Sequence, residues 1–524
     1  MTEATLAAPS TPAPAARMPR QIPNIIGNEA CERFSFYGMR NILTVFLVSS
    51  LLTYLPEADR PTEAKHIFHT FLIGVYFFPL LGGWLADRLM GKYWTIMSFS
   101  LIYCVGHVML AVFEHDRTGF LFGLGLIAFG SGGIKPCVAA FCGDQFDKST
   151  KHLAKIVFDA FYWSINFGSL FASLLMPVFL KKYGASVAFG IPGALMFVAT
   201  FIFWLARKHY VIIPPAPPSP DSFVRVAMTA LVSRDGGARW GYVLAMMGVA
   251  LGLGSLVFAP QLGIVAALCL AVVIFLGFAG GGTWIQLDRA RGRHPEIAVD
   301  GVRVVLRMLI VFALVTPFWS LFDQKASTWV LQASAMTTPE WFQPSQMQAL
   351  NPLLVMILIP FNNLVLYPAL RRYFGYEPTA LRRMTFGIAF SSLAWVAAGG
   401  LQLAIDGGSA VSIVWQILPY VLLTMGEVLV SATGIEFAYS QAPSSMKGVL
   451  MSFWYLAVTV GNLWVLLVNS GVRNEAVTQS IASTGLSVTA FQMFFFAAFA
   501  AVAALIFGLY ARTYREVDNY RPTD

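Results

Sequence analysis

Fourteen apolar runs succeed one another between residues 24 and 511, separated by short polar breaks. About 20 apolar residues wound as a helix cross the roughly 30 Å of a bilayer core, where each backbone N–H and C=O has to be satisfied within its own segment. The expected spans are 24–55, 66–87, 93–113, 118–143, 153–180, 185–206, 239–258, 261–288, 303–333, 346–372, 379–402, 411–440, 446–470 and 486–511. Only 12% of the residues are charged, against about 25% in soluble domains. The pattern predicts an all-α polytopic membrane protein surrounded by lipid.

Lys and Arg in the connections fix the expected orientation. With the N-terminus in the cytoplasm, roughly 24 basic residues, including Arg88, Lys92, Lys148, Arg289, Arg371 and Arg512, fall on that side and 6 on the other: Arg60, Lys65, Arg117, Lys181, Lys182 and Arg473. This is a strong positive-inside bias, and it puts both termini in the cytoplasm. Because the loops account for the basic residues, the net charge of +8 implies no nucleic-acid partner. The five cysteines show no paired spacing and read as small core residues.

The stretch VIIPPAPPSPDS, 211–222, divides the chain. The expected organisation is a disordered tail over 1–23, a six-helix bundle over 24–206, a linker over 207–302 with an inserted helix pair at about 239–258 and 261–288, a second six-helix bundle over 303–511 and a tail over 512–524. The tails are too short for an independent signalling domain, which argues against a receptor. At a constant offset of 296, Gly130, Phe141, Gln145 and Asn166 align with Gly426, Phe437, Gln441 and Asn462, a repeat that fits two related halves.

Charges inside the spans carry the functional signal. In NEACERFSFYGMR, a helix at 100° per residue brings Glu29, Glu32, Arg33, Phe36, Tyr37 and Arg40 within an arc of about 140°. Glu29 and Arg33 can pair at i,i+4, and the stripe can face a polar cavity. A solvated helix end would need a polar break before the apolar run, and none is there. Lys135, Asp323, Lys325 and Glu427 are further intramembrane charges, each of which needs a partner or water. Arg307, near a helix entrance, can snorkel. Arg33, Arg40 and Lys135 belong to the first half, Asp323 and Glu427 to the second. A cavity with one basic and one acidic wall suits a ligand with a carboxylate at one end and an ammonium at the other, such as an amino acid or short peptide. Tyr37, Tyr76, Asn166, Trp319, Asn351 and Trp454 are candidate lining residues. The inserted pair offers little beyond Trp284 and Gln286 and is expected to be peripheral.

Longer motifs are specific enough to carry a resemblance. GGWLADRLMGK, Gly82 to Lys92, resembles the loop signature of the major facilitator superfamily. GNEACERFSFYG, GSGGIKPCVAAFCGDQF, FYWSINFGSL, FWSLFDQ and GEVLVSATG resemble, in order, motifs of the proton-dependent oligopeptide transporter family, over about Ile25 to Arg512. The inserted pair resembles the extra helices of bacterial members. The resemblance implies a major facilitator fold, alternating access, and symport of di- and tripeptides with protons across a bacterial inner membrane by a monomer. No metal or cofactor other than the coupling proton is implied, and no enzymatic activity.

Carried over by motif, Arg33, Tyr37, Lys135, Asn166, Asn351 and Glu427 match peptide-binding positions, with Glu427 facing the amine. Tyr76, Trp319 and Trp454 match pocket-lining positions. Glu29, Glu32 and Arg33 match the proton-coupling cluster, and Arg40 with Asp323 a pair that bridges the halves on the extracellular side. His69 matches a histidine of the second helix, for which a protonation role and a plain hydrogen bond are equally open.

Three positions depart from the family pattern. Phe36 stands where a tyrosine is usual, Ala432 where a bend-forming proline is expected, and Lys325 where the position is usually uncharged. The family also contains carriers of nitrate and other anions, so a proton-coupled anion carrier remains the alternative. Glu427 argues against it, since an acidic wall repels an anion.

Overall fold

The first helix begins where Pro23 fits its opening turn, and α1 then runs over Ile22–Phe46 before loosening into a π-helical turn, Leu47–Leu51. The computed structural model describes residues 18–514 apart from 148–149, 216, 218, 235–236 and 442–445. Most of both expected tails, with Arg17, Arg515 and Arg521, and also Lys148, lie outside the described residues. The first bundle continues with α2 (Arg60–Leu85), α3 (Lys92–Val112) and α4 (Arg117–Gly143). Lys151–Leu205 is helical throughout except at Gly184, whose φ of 82° and ψ of 177° turn the chain back. A side chain is strained at that φ, and glycine carries none. The two arms, 151–183 and 185–205, are α5 and α6.

A short amphipathic helix, α7 (Phe223–Val232), precedes the inserted pair α8 (Trp240–Ser255) and α9 (Ile264–Gln286). The second bundle is built from α10 (Glu296–Asp323), α11 (Thr328–Ser334), α12 (Leu350–Phe361), α13 (Tyr367–Phe374), α14 (Ala380–Asp406), α15 (Ile417–Glu427), α16 (Thr433–Gln441), α17 (Lys447–Gly471), the loop helix α18 (Glu475–Ala482) and α19 (Val488–Thr513). Among the described residues, thirteen helical segments are long and apolar enough to cross a membrane. Counting the two arms at Gly184 separately gives the fourteen crossings expected, and an even number returns the chain to its starting side.

Two boundaries differ from expectation. The helix α10 starts at Glu296, not 303, because Pro295 sets its first turn and a charged turn, Glu296 to Arg303, leads into the apolar run. Hydropathy does not register that polar turn. Lys65, expected in a loop, lies within α2 and is 6% exposed. With α10 starting at Glu296, Arg307 lies three turns inside the helix and not at its entrance, its guanidinium 5.8 Å from the Trp284 ring and that of Arg303 5.7 Å from the same ring. Such stacking shelters the charge while the head stays near water.

Apolar side chains form two large clusters, one drawn mainly from α1 to α6 and one from α10 to α19. The inserted pair packs beside α2 and α17, with Val257, Ile264 and Leu253 exposed on its outer side. Gln286 fastens it, donating to the carbonyls of Ala230 and Leu231 and accepting from the Tyr242 N–H at 3.0 Å.

Small residues let the helices touch, the usual solution where lipid provides no hydrophobic drive between them. Gly130 crosses α3 against Tyr103, and its repeat counterpart Gly426 crosses α14 against Gly387 and Ser391. A Cβ on Gly82 would overlap the backbone of Gly132 where α2 crosses α4. Gly82→Ala is therefore expected to lower the thermal unfolding midpoint in detergent, at a cost of about 1–3 kcal/mol for forced overpacking. Gly277→Ala, whose Cβ meets nothing within 4 Å, should leave it unchanged.

Candidate functional site

Eight ionisable side chains of the spans form the core of the site, four cations (Arg33, Arg40, Lys135, Lys325) and four carboxylates (Glu29, Glu32, Asp323, Glu427), all buried or half-buried. They gather into three groups.

The first is built on the charged stripe of α1. Arg33 Nε lies 2.8 Å from Glu29 Oε1 and 2.6 Å from Glu32 Oε2, so one guanidinium answers two carboxylates. Gly168 of α5 brings its backbone close to Ala30 and Phe34, which seats this turn of α1. From α4, Lys135 extends its ammonium between two rings, 4.1 Å from the centroid of Phe36 and 4.4 Å from that of Tyr76. Among the described residues no carboxylate forms an ion pair with Lys135. The partners that the structure gives this cation are aromatic faces, and Phe36, where a tyrosine is usual, supplies one of them. Tyr37 lies edge-on to Phe36 at 5.4 Å.

The second group joins the bundles at the end opposite the chain termini. Arg40 donates to Asp323 Oδ1 at 2.7 Å, and both are buried. Asn462 Nδ2 donates to Asp323 Oδ2 at 2.8 Å. An amide oxygen only accepts, so His69 Nδ1–H donates to Asn462 Oδ1 at 2.7 Å. In the neutral ring, Nε2 then accepts from the Ser327 hydroxyl at 2.9 Å. Further bonds seal the same end: Thr44 to the Ala326 carbonyl at 2.8 Å, Gln348 to the Asn41 carbonyl at 3.1 Å, and Lys65 to Gln492 Oε1 at 3.1 Å.

The third group lies within the second bundle. Lys325 donates to Asn351 Oδ1 at 2.7 Å, and Asn351 Nδ2 donates to Glu427 Oε2 and to Thr424 Oγ1. Lys325 also lies 3.3 Å from the Phe322 ring centroid. The second wall is therefore not simply acidic, because Lys325 reaches Glu427 through Asn351. Within this group Lys325 and Glu427 offset one another, so the acidic charge of this wall is exposed to a ligand only when their link through Asn351 opens. Beside this group Trp319 and Trp454 stack edge-to-face at 5.8 Å. Just beyond Glu427 the helix winds as a π-turn, Val428–Ala432, so the distortion expected of a proline occurs with Ala432 in its place. The groups are close enough for their fields to overlap: Tyr37 interacts electrostatically with Arg33, Arg40 and Glu427, and Tyr76 with Asp323 and Arg33. Asn166 is buried on α5 and donates to the Tyr162 carbonyl of its own helix.

A sequence profile described as the POT family matches residues 93–260 and 285–486. This chain belongs to the POT family. That is the family its motifs resemble. A crystal structure described as an auto-inhibited POT family peptide transporter is 68% identical, with a TM-score of 0.94 over 97% of this chain and 99% of the other. The POT family transporter PepTSo, solved in meso, is 63% identical with a TM-score of 0.94, covering 96% of this chain and 100% of that one. "Peptide transporter 3" of Caenorhabditis elegans is 34% identical over 400 residues, 73% of this chain and 50% of the relative. This chain spans about half the length of the curated relatives it matches.

The major facilitator loop motif and a POT family motif meet in the fold. Lys92 closes the loop motif by donating to Asp144 of the GDQF segment at 2.6 Å, and Arg88 donates to the Pro217 carbonyl of the linker at 3.0 Å. The sequence did not mark Asn462, Ser327 or Gln492 as site residues. Asn462 alone had a signal, its alignment with Asn166 in the repeat.

Proposed function

We propose that this chain is a proton-coupled symporter that imports di- and tripeptides by alternating access. The observation that carries the reading is the buried ion pair between Arg40 of the first bundle and Asp323 of the second, continued through Asn462 to His69. Support comes also from relatives described as peptide transporters. In this reading both termini are cytoplasmic, the protein works as a monomer in a bacterial inner membrane, and the sealed end is extracellular.

The steps follow from which pairs can exchange partners. A proton from outside neutralises Asp323 and removes the charge that holds Arg40, so the extracellular side opens. An entering peptide offers a carboxylate to Arg33 and Lys135, drawing Arg33 from Glu29 and Glu32. Either glutamate then has less to gain from staying ionised and takes up a proton, which it gives up again when Arg33 returns. The peptide ammonium replaces the Asn351 amide and the Lys325 charge at Glu427, while Tyr37, Tyr76, Asn166, Trp319 and Trp454 line the ligand. Each ligand shifts the balance of states only by its differential interaction with them, and pairs that exist in one state alone provide that difference.

Uptake of labelled dialanine into proteoliposomes, with and without an inward proton gradient, tests the proposal. Gradient-stimulated uptake blocked by trialanine but not by alanine or nitrate is the expected result. Competition by nitrate without peptide uptake would send the substrate to the family's anion carriers.

A further inference from the structure

The inserted helix pair lies against the first bundle around a cavity that the transport steps do not use. Its walls are α2, α4 and the turn joining α8 to α9, and its volume is about 470 Å³. Cavities of roughly 300–1,000 Å³ hold whole small ligands. One part of the lining is apolar, with Phe71, Phe78, Leu121 and Leu124 along the shaft. At the other end Glu63 is shared by two arginines, Arg117 at 3.3 Å and Arg473 at 2.8 Å, whose side chains remain 50% and 43% exposed. Among the residues that line the cavity, two guanidiniums face one carboxylate, which leaves a positive excess in the lining. Between the two ends, His66 Nδ1 and Thr70 Oγ1 line the cavity, buried and without a hydrogen-bond partner.

An apolar shaft, orphaned polar atoms part-way along it and an uncompensated guanidinium at its mouth together describe an amphiphile. We infer that this cavity binds one anionic phospholipid, its phosphate at Arg117 and Arg473 and an acyl chain along α2 and α4. Arginine forks match phosphate oxygens, and basic recesses between membrane helices select anionic head groups. The lipid would join the inserted pair to both bundles, since Arg473 comes from the loop after α17. Assignment of the site to the outer leaflet rests on the orientation proposed above; lipid binding does not.

Gly125 supplies a clean probe, because it lines the cavity and a Cβ there meets nothing within 4 Å. The purified full chain in detergent is mixed with phosphatidylglycerol or phosphatidylcholine of identical acyl chains, and bound lipid is counted by native mass spectrometry. A control uses inorganic phosphate. Phosphatidylglycerol should be retained about fivefold or more over phosphatidylcholine. Gly125→Leu, which fills the shaft, should abolish retention of both, and Arg117→Gln with Arg473→Gln should reduce phosphatidylglycerol to the phosphatidylcholine level. Unchanged retention in Gly125→Leu, a preference that survives loss of both arginines, or displacement of the lipid by inorganic phosphate would each overturn the inference. The readout involves no uptake, so it stands or falls separately from the transport proposal.

Discussion

Asp323→Asn is expected to abolish stimulation of dialanine uptake by an inward proton gradient while peptide counterflow and peptide affinity stay close to wild type. The substitution keeps a hydrogen-bonding side chain beside Asn462 but fixes the neutral form. Arg40, 3% exposed, then has no charge opposite it. Leaving half of a buried pair in place costs roughly 3–5 kcal/mol. Opening the extracellular side hydrates Arg40 and recovers much of that cost, so the variant should favour the open form at any pH. Because each 1.4 kcal/mol is tenfold in a population ratio, even about half of the cost shifts the balance of states by roughly tenfold. In the proposed mechanism the same opening in the wild type requires acidification from outside. Uptake against external pH therefore rises as pH falls in the wild type and is flat in Asp323→Asn. Normal acid stimulation in the variant would remove Asp323 from the coupling step.

Lys135→Ala should have the opposite signature, losing both gradient-driven uptake and counterflow by more than about tenfold, in line with the loss of a desolvated, charge-assisted contact. The lysine is held between Phe36 and Tyr76 with no ion-pair partner among the described residues. Its removal forfeits a cation–π contribution of only about 0.5–2 kcal/mol and leaves no carboxylate stranded. The variant should accordingly remain folded and monodisperse, which separates lost recognition from lost structure. Lys135→Arg tests the geometry, since a planar fork fits poorly between two rings spaced for an ammonium. Retained counterflow in Lys135→Ala would take this residue out of the peptide site.

Much of the architecture could be read from the residues because membrane helices carry their own constraint. Apolar length identified the crossings, and the break at Gly184 divides the two runs near where hydropathy divides them. The stripe on α1 was legible because 100° per residue is a local property, and the Glu29–Arg33 pair lies within one turn. Other features depend on remote packing. Lys65 sits near the polar start of α2, so a hydropathy window assigns it to a loop, yet α19 covers it and Gln492 accepts its bond. Asn462 sits in an apolar run, and its link between Asp323 and His69 requires three helices to be in register. Lys325 illustrates the same limit: spacing shows that it points away from Asp323, but not that Asn351 carries it to Glu427.

In the proposed mechanism a proton on Asp323 releases the extracellular side. Spin labels at His115, whose side chain is 92% exposed, and Trp341, 77% exposed, would report the distance between the two bundles at that end. In a background lacking native cysteines, the distance distribution should lengthen on acidification in the otherwise unmodified chain. In Asp323→Asn it should be long at both neutral and acidic pH. A distribution that moves equally with pH in both proteins, or in neither, would mean that Asp323 does not control the release.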